Sequence, residues 1–195
     1  MKRFLIAMAL VVFMTGAASA EGMLFGIKGG LNMANLTGDD VEFNEMRMAF
    51  GGGVWMNYAF TEAFSLQPEL MYMLKGCKFE EVDDPFALTY IDLNILGKYT
   101  IPMEGNFAPY LFGGPYLGFL MAAEDPDGED VKDYMKSMDY GLMLGAGFDY
   151  KLEAGGCILM DVRYAMGLTT IDDSEDEMDA KNTGIMVMVG YGFAF

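Results

Sequence analysis

Nine charged residues recur at alternate positions inside long apolar runs: Lys28, Glu69, Lys75, Asp92, Lys98, Asp139, Asp149, Asp161 and Arg163. Four cations beside five carboxylates in apolar surroundings suit two kinds of chemistry. They can neutralise one another as buried ion pairs, which are tolerated when every partner is hydrogen-bonded. They can instead line a polar path for ions. Catalytic readings find less support. The chain has no histidine, so a Ser-His-acid triad and histidine-ligated catalytic zinc are both excluded. No Gly-x-Gly-x-x-Gly stands after a strand in a βαβ setting, as nucleotide binding requires. Neither an enzyme nor a cofactor is expected.

The remaining acids are segregated. Asp39, Asp40, Glu42 and Glu45 form one cluster, and Glu80, Glu81, Asp83 and Asp84 a second. Glu124, Asp125, Asp127, Glu129, Asp130 and Asp133 form a third, and Asp172, Asp173, Glu175, Asp176, Glu177 and Asp179 a fourth. The run DPDGED at 125–130 invites comparison with a calcium loop, but it lacks the D-x-[DN]-x-[DN]-G spacing. These clusters read as solvated, self-repelling loop tips, and no specific metal site is expected. A formal net charge of −17, from 12 basic and 29 acidic residues, also argues against a nucleic-acid partner, which requires a basic footprint.

The elements that must position the nine charges have period two. Eight runs of alternating character are expected at 23–34, 47–59, 64–76, 87–100, 107–121, 139–151, 156–168 and 183–195. Each is longer than the usual 5–6 residues of a soluble strand and long enough for the 9–11 of a tilted membrane strand. Connections alternate between short (60–63, 101–106, 152–155) and long (35–46, 77–86, 122–138, 169–182). That asymmetry is the mark of outer-membrane barrels with short periplasmic turns and long extracellular loops.

One face of each strand is large and apolar, such as Ile185, Val187, Val189, Tyr191 and Phe193 in the last. The other mixes glycine, small residues, methionine and isolated charges, such as Leu159, Asp161, Arg163, Ala165 and Gly167 in the seventh. Charges this sparse cannot solubilise an exterior. They fit the interior of an eight-stranded barrel, which is just wide enough for side chains. The low strand count favours a plugged lumen over a path.

The N-terminus reads as a cleaved signal peptide spanning 1–20. Lys2 and Arg3 precede an apolar segment at 4–14, and Ala18, Ser19 and Ala20 give an A-x-A site with cleavage after Ala20. Residues 21–195 are then the barrel domain. Pro68 and Pro115 interrupt strand runs and are expected at bulges. Cys77 and Cys157 fall at opposite ends of the barrel, roughly 25 Å apart. A disulfide needs Cα atoms within about 7 Å, so no intramolecular bond is expected. The 20 methionines fall on both strand faces, which suits lipid contact and lumen filling alike.

Five segments carry a resemblance: FGIKGGLNMANL at 25–36, FSLQPELMYMLKG at 64–76, APYLFGGPYLGF at 108–119, LGAGFDY at 144–150 and VGYGFAF at 189–195. Together they resemble the PorT-like group of small porin-like, OmpX-like outer-membrane barrels; the LQPEL and GPYLG elements are the more specific. The resemblance implies an eight-stranded barrel in the outer membrane of a Gram-negative bacterium and no catalytic activity. The namesake of the group acts in protein secretion. Tyr191, Phe193 and Phe195 also resemble the aromatic signal read by the barrel-assembly machinery.

Expected partners are outer-membrane lipid, lipopolysaccharide and that machinery, with the acidic loops as the surface for any protein partner. The leading reading is a non-catalytic barrel with a structural or surface-interaction role. A narrow channel or secretion-linked porin-like protein is one alternative. A soluble periplasmic ligand-binding barrel is another.

Overall fold

A computed structural model of the chain describes residues 23–39, 41, 44–79, 82–153, 155–174 and 178–194. The expected signal peptide, its cleavage residue Ala20, and Phe195 lie outside the described residues. Eight strands follow one another: β1 (Met23–Thr37), β2 (Asn44–Ala59), β3 (Phe64–Phe79), β4 (Val82–Thr100), β5 (Phe107–Glu124), β6 (Met138–Lys151), β7 (Cys157–Gly167) and β8 (Lys181–Ala194). Each pairs antiparallel with its sequence neighbours, and β8 returns to β1, so the sheet closes as an up-and-down barrel. Closure removes both sheet edges, the condition for a β-structure to stand in lipid.

At the end with short connections the strand limits fall within a residue of those expected. The turns there are tight. Leu152 N–H donates to Gly156 O, and Gly155 and Gly156 take φ of +87° and +85°, a conformation that glycine adopts without strain. At the other end most strands run further than expected, β4 by five residues. The second long connection, expected at 77–86, is largely strand: Phe79 pairs with Val82, and Asp83 and Asp84 belong to β4. Beyond the hydrocarbon layer a strand needs no apolar face, so ladder pairing continues where the hydropathy pattern fades into acids and Pro85.

The prolines do not mark bulges. Pairing around Pro68 with Ile95, and around Pro115 with Leu142, keeps one register throughout. What each proline loses is pairing on its other side. The β2–β3 ladder lapses between Trp55 and Tyr58, and the β4–β5 ladder between Asn94 and Gly97, with no register change. This is the missing N–H donor of proline. The register shifts lie toward the loop end, between Met46 and Gly51, Cys77 and Phe79, and Thr89 and Tyr90.

The alternation is realised as read. Ile27, Leu31, Phe50, Val54, Leu70, Leu93, Leu111, Leu144, Val162 and Val189 are exposed on the outer face. Inside, β5 and β6 interlock aromatic rings with glycines: Tyr110 pairs with Gly147, Phe112 with Gly145 and Tyr116 with Gly141. A Cβ at Gly145 would lie 2.3 Å from Phe112 Cζ, so the ring occupies the place of a side chain. The loop end is covered in part by its own connections. Met135 bridges to Asp172, Lys136 N–H donates to Ile171 O, and Ile171 is buried among Leu36, Cys77, Leu88, Tyr90 and Leu120. Met135 and Lys136 of the third connection and Ile171 and Asp172 of the fourth are therefore folded onto the mouth, while the tip at 127–130 stays exposed.

Candidate functional site

Inward parity on five strands brings all nine charged residues into the lumen, in three groups. The lowest is Lys98 with Asp149, at 2.6 Å, with the ammonium 3.7 Å from the centre of the Tyr110 ring.

Glu69 is the hub of the middle group. It stands on β3, across the barrel from Arg163 on β7. Its carboxylate pairs with Lys28 and accepts from Arg163 Nη1 at 2.8 Å, Gln67 Nε2 at 2.8 Å and Asn94 Nδ2 at 2.9 Å. Arg163 also makes a two-pronged contact with Asp161, Nε to Oδ1 at 2.7 Å and Nη2 to Oδ2 at 2.6 Å. Such forked contacts are the strong, geometrically specific ones. Lys28 reaches Asp161 at 3.7 Å. The side chains of this quartet are at most 1 % exposed.

The upper group centres on Lys75, 3.0 Å from Asp92 and 3.3 Å from Asp139. Its ammonium faces the rings of Tyr90 and Tyr116 at 4.5 and 4.7 Å. Asp139 also accepts from Asn182 Nδ2 at 3.0 Å and from Tyr116 Oη at 3.3 Å.

The uncharged partners were not singled out from the sequence. Gln67, Asn94 and Tyr90 share the inward parity of the charges, and that parity is the signal that finds them. Asn182 lies one residue before the expected start of its strand, so parity was not applied to it. Arg47, inward near the loop end, donates to Lys75 O at 2.8 Å and was likewise at an expected strand limit. Several buried polar atoms among the described residues have no hydrogen-bond partner: Gln67 Oε1 and Asn94 Oδ1 in the middle group, and Asp92 Oδ1 and Asn182 Oδ1 in the upper one.

Three of the described loop acids, Asp125, Asp130 and Asp172, accept from local backbone amides. Asp125 Oδ1 accepts from the amides of Asp127 and Glu129 at 3.0 and 2.9 Å. Asp172 accepts from the Ser174 hydroxyl at 2.6 Å and the Met178 amide at 2.7 Å. Partial burial works to raise the Asp172 pKa, but these bonds and the nearby Lys136 outweigh it and hold the carboxyl below its ordinary value. Among the described residues no three His, Cys, Asp or Glu side chains stand where they could hold a metal ion. Cys77 and Cys157 are free, buried, and packed in separate clusters at opposite ends. At the turn end Tyr191 and Phe193 stack edge to face, centroids 4.8 Å apart.

Three solved barrels share this fold. Neisserial surface protein A is 13% identical, over 91% of this chain and 99% of that one, with a TM-score of 0.64. The E. coli outer membrane protein W is 12% identical, over 91% and 100%, at 0.51. OprG from Pseudomonas aeruginosa is 16% identical, over 91% and 98%, at 0.50. At these identities the likeness is one of fold. No curated protein matches the chain in sequence. The family described as outer membrane protein beta-barrel domain matches residues 17–173. An outer-membrane location, with the apolar exterior facing lipid, sets aside the soluble periplasmic reading. The chain belongs to the outer membrane protein beta-barrel domain family.

Proposed function

We propose that the protein is a non-catalytic outer-membrane barrel with a structural or surface-interaction role, whose lumen does not conduct ions. The observation that carries this is the interior. Each of the nine lumen charges has an opposite charge within 3.7 Å, in a barrel of only eight strands. An ion entering such a lumen must displace charges that already satisfy one another. Function then falls to the exposed end, where the acidic connections gather, and to the lipid and lipopolysaccharide around them. Membership of the PorT-like group is part of this proposal. It is supported by LQPEL and GPYLG, whose Gln67, Glu69 and Tyr116 are members of the ion-pair groups. Tyr191 and Phe193 are proposed to be read by the assembly machinery, together with Phe195.

Planar-bilayer recording of the purified barrel tests the closed lumen, and stable openings would count against it. Proximity cross-linking in the native outer membrane tests the surface role; a cross-linked secretion complex would favour the secretion-linked alternative. One observation speaks for a narrow channel as the second reading. The unpartnered oxygens of both larger groups are places where water is stable, and a hydrated lumen is the first requirement of a path.

A further inference from the structure

Along β3 the inward side chains run Glu69, Met71, Met73, Lys75. Two thioethers thus separate the hub carboxylate of the middle group from the ammonium of the upper one. Met143 on β6 repeats the arrangement. Asp139 of the upper group stands two inward positions away, and Arg163 Nη1 of the middle group lies 3.4 Å from its sulfur. Met186 on β8 stands two inward positions from Asn182, which donates to Asp139, and pairs across the ladder with Arg163. All four methionines are buried in one apolar cluster with Leu96, Phe112 and Ala165. On β3, β6 and β8 methionines therefore stand between the two polar strata, while on β4 Asn94 and Asp92 are successive inward residues.

We propose that this methionine belt completes the seal of the lumen where the paired charges alone would admit water. The inference rests on the reading that the lumen does not conduct, and it names the residues responsible. Both polar strata leave buried oxygens unpartnered, and water is stable beside such groups. A thioether is only a weak acceptor, so water advancing from either side meets no adequate partner among these four side chains, and the nearest strong acceptor beside them is Asn32 Oδ1, on β1 next to Met186. Apolar constrictions of this kind stay dry and exclude hydrated ions. Ion pairs by themselves are a poorer barrier, because each charge attracts water and mobile ions. Methionine adds a second property. Its unbranched, flexible side chain refills space when a neighbour moves, so the belt stays closed when Arg163 or Lys75 exchanges partners.

The test uses the full-length barrel in planar bilayers, with heat-modifiable migration on gels as the check of folding. Four proteins are compared: wild type, Met71→Gln/Met73→Gln, Met71→Leu/Met73→Leu, and Glu69→Gln. Glutamine nearly conserves the volume of methionine and supplies strong hydrogen-bonding groups, whereas leucine keeps the belt apolar. The glutamine pair is expected to show discrete openings. Wild type, the leucine pair and Glu69→Gln are expected to remain at the bare-membrane baseline. Should the glutamine pair fail to insert, Met143→Gln replaces it with the same expectation. A folded glutamine variant as silent as wild type overturns the proposal. So do openings in Glu69→Gln or in the leucine pair. Openings in wild type instead sink the closed-lumen reading on which the proposal stands.

Discussion

Replacing Glu69 with alanine removes the carboxylate on which Lys28, Arg163, Gln67 and Asn94 converge. Arg163 keeps both of its bonds to Asp161. Lys28 keeps only Asp161, at 3.7 Å, so two buried cations are left sharing one carboxylate. Removing one partner of a buried pair costs about 3–5 kcal/mol. The low end applies here, because Arg163 retains its forked contact, so we expect Glu69→Ala to lose about 3 kcal/mol. The double variant Lys28→Met/Glu69→Leu removes one charge of each sign and leaves Arg163 with Asp161 intact. Replacing a whole buried pair by apolar side chains is commonly neutral or stabilising, so the double variant is expected within about 1 kcal/mol of wild type. Urea unfolding of the vesicle-inserted barrel measures both. The single tryptophan of the chain, Trp55, is buried against Leu159 and Cys157 in the interior and reports unfolding by its fluorescence. A Glu69→Ala variant as stable as wild type would refute the hub assignment. So would a double variant that loses as much as Glu69→Ala alone.

Two glycines should respond in opposite ways to alanine. Gly145→Ala puts a methyl group 2.3 Å from Phe112 Cζ and 2.7 Å from Val162 O, and overpacking of this kind costs about 1–3 kcal/mol. At Gly97 the nearest atom is Gly113 O at 3.7 Å, so Gly97→Ala should be neutral or gain about 0.5–1 kcal/mol from the lower backbone entropy of alanine; the same urea titration decides. Mass spectrometry of the non-reduced protein should find both thiols free, with alkylation slow until the barrel unfolds, because Cys77 and Cys157 are buried at opposite ends. An intramolecular disulfide would contradict the placement of β3 and β7. Acid should loosen the fourth connection. The Asp172 carboxyl is held below its ordinary value in the folded state, so its contribution is complete above the unfolded pKa of about 3.9 and is lost as pH falls through the lower folded value. Amide exchange at Ser174 and Met178 should accelerate in that acid window, and Asp172→Asn should show the faster exchange already at neutral pH.

Parity made the barrel wall legible. Once Asp161 and Arg163 share a face with Ala165 and Gly167, their inward direction follows from the period of two, and the same holds for Glu69 and Lys75 on β3. What parity cannot supply is who meets whom. Glu69 and Arg163 lie 94 residues apart and meet only because β3 and β7 oppose one another across a closed sheet. The height at which they meet depends on the stagger of every ladder between them. The uncharged members Asn94 and Asn182 are selected by the same geometry.

The loop end was read least well, for a different physical reason. Hydropathy alternates only where one face must be apolar, and above the lipid neither face must be. Asp83 and Asp84 could therefore enter β4 without leaving a pattern behind. Ile171 shows the converse. A lone apolar residue between threonines and acids carries no period at all, yet it is buried over the mouth because Lys136 and Ala180 hold the backbone there. In the same way Pro68 and Pro115 pointed to a lost hydrogen bond correctly, while the consequence was a lapsed ladder. With two neighbours holding every strand, the loss of one N–H is absorbed on one side while the other side keeps the register.

The segments that carry the family resemblance are instructive about what in such a barrel is constrained. On the outer face any large apolar side chain serves, and Ile27, Leu70 or Val162 could exchange with little consequence for lipid contact. The inner face must solve packing and charge together. In LQPEL the inward residues are Gln67 and Glu69, which hydrogen-bond to one another at 2.8 Å. In GPYLG they are Gly114, Tyr116 and Gly118. Tyr116 fills the space over Gly141 and turns its hydroxyl to Asp139, and Gly118 leaves room for Asp92, whose Oδ1 would lie 2.7 Å from a Cβ there. A ring on one strand, a glycine opposite it and a charge beside both form one unit, and altering any member leaves a void, a clash or an unpaired ion. The information that specifies this barrel is thus concentrated on the face that lipid never touches.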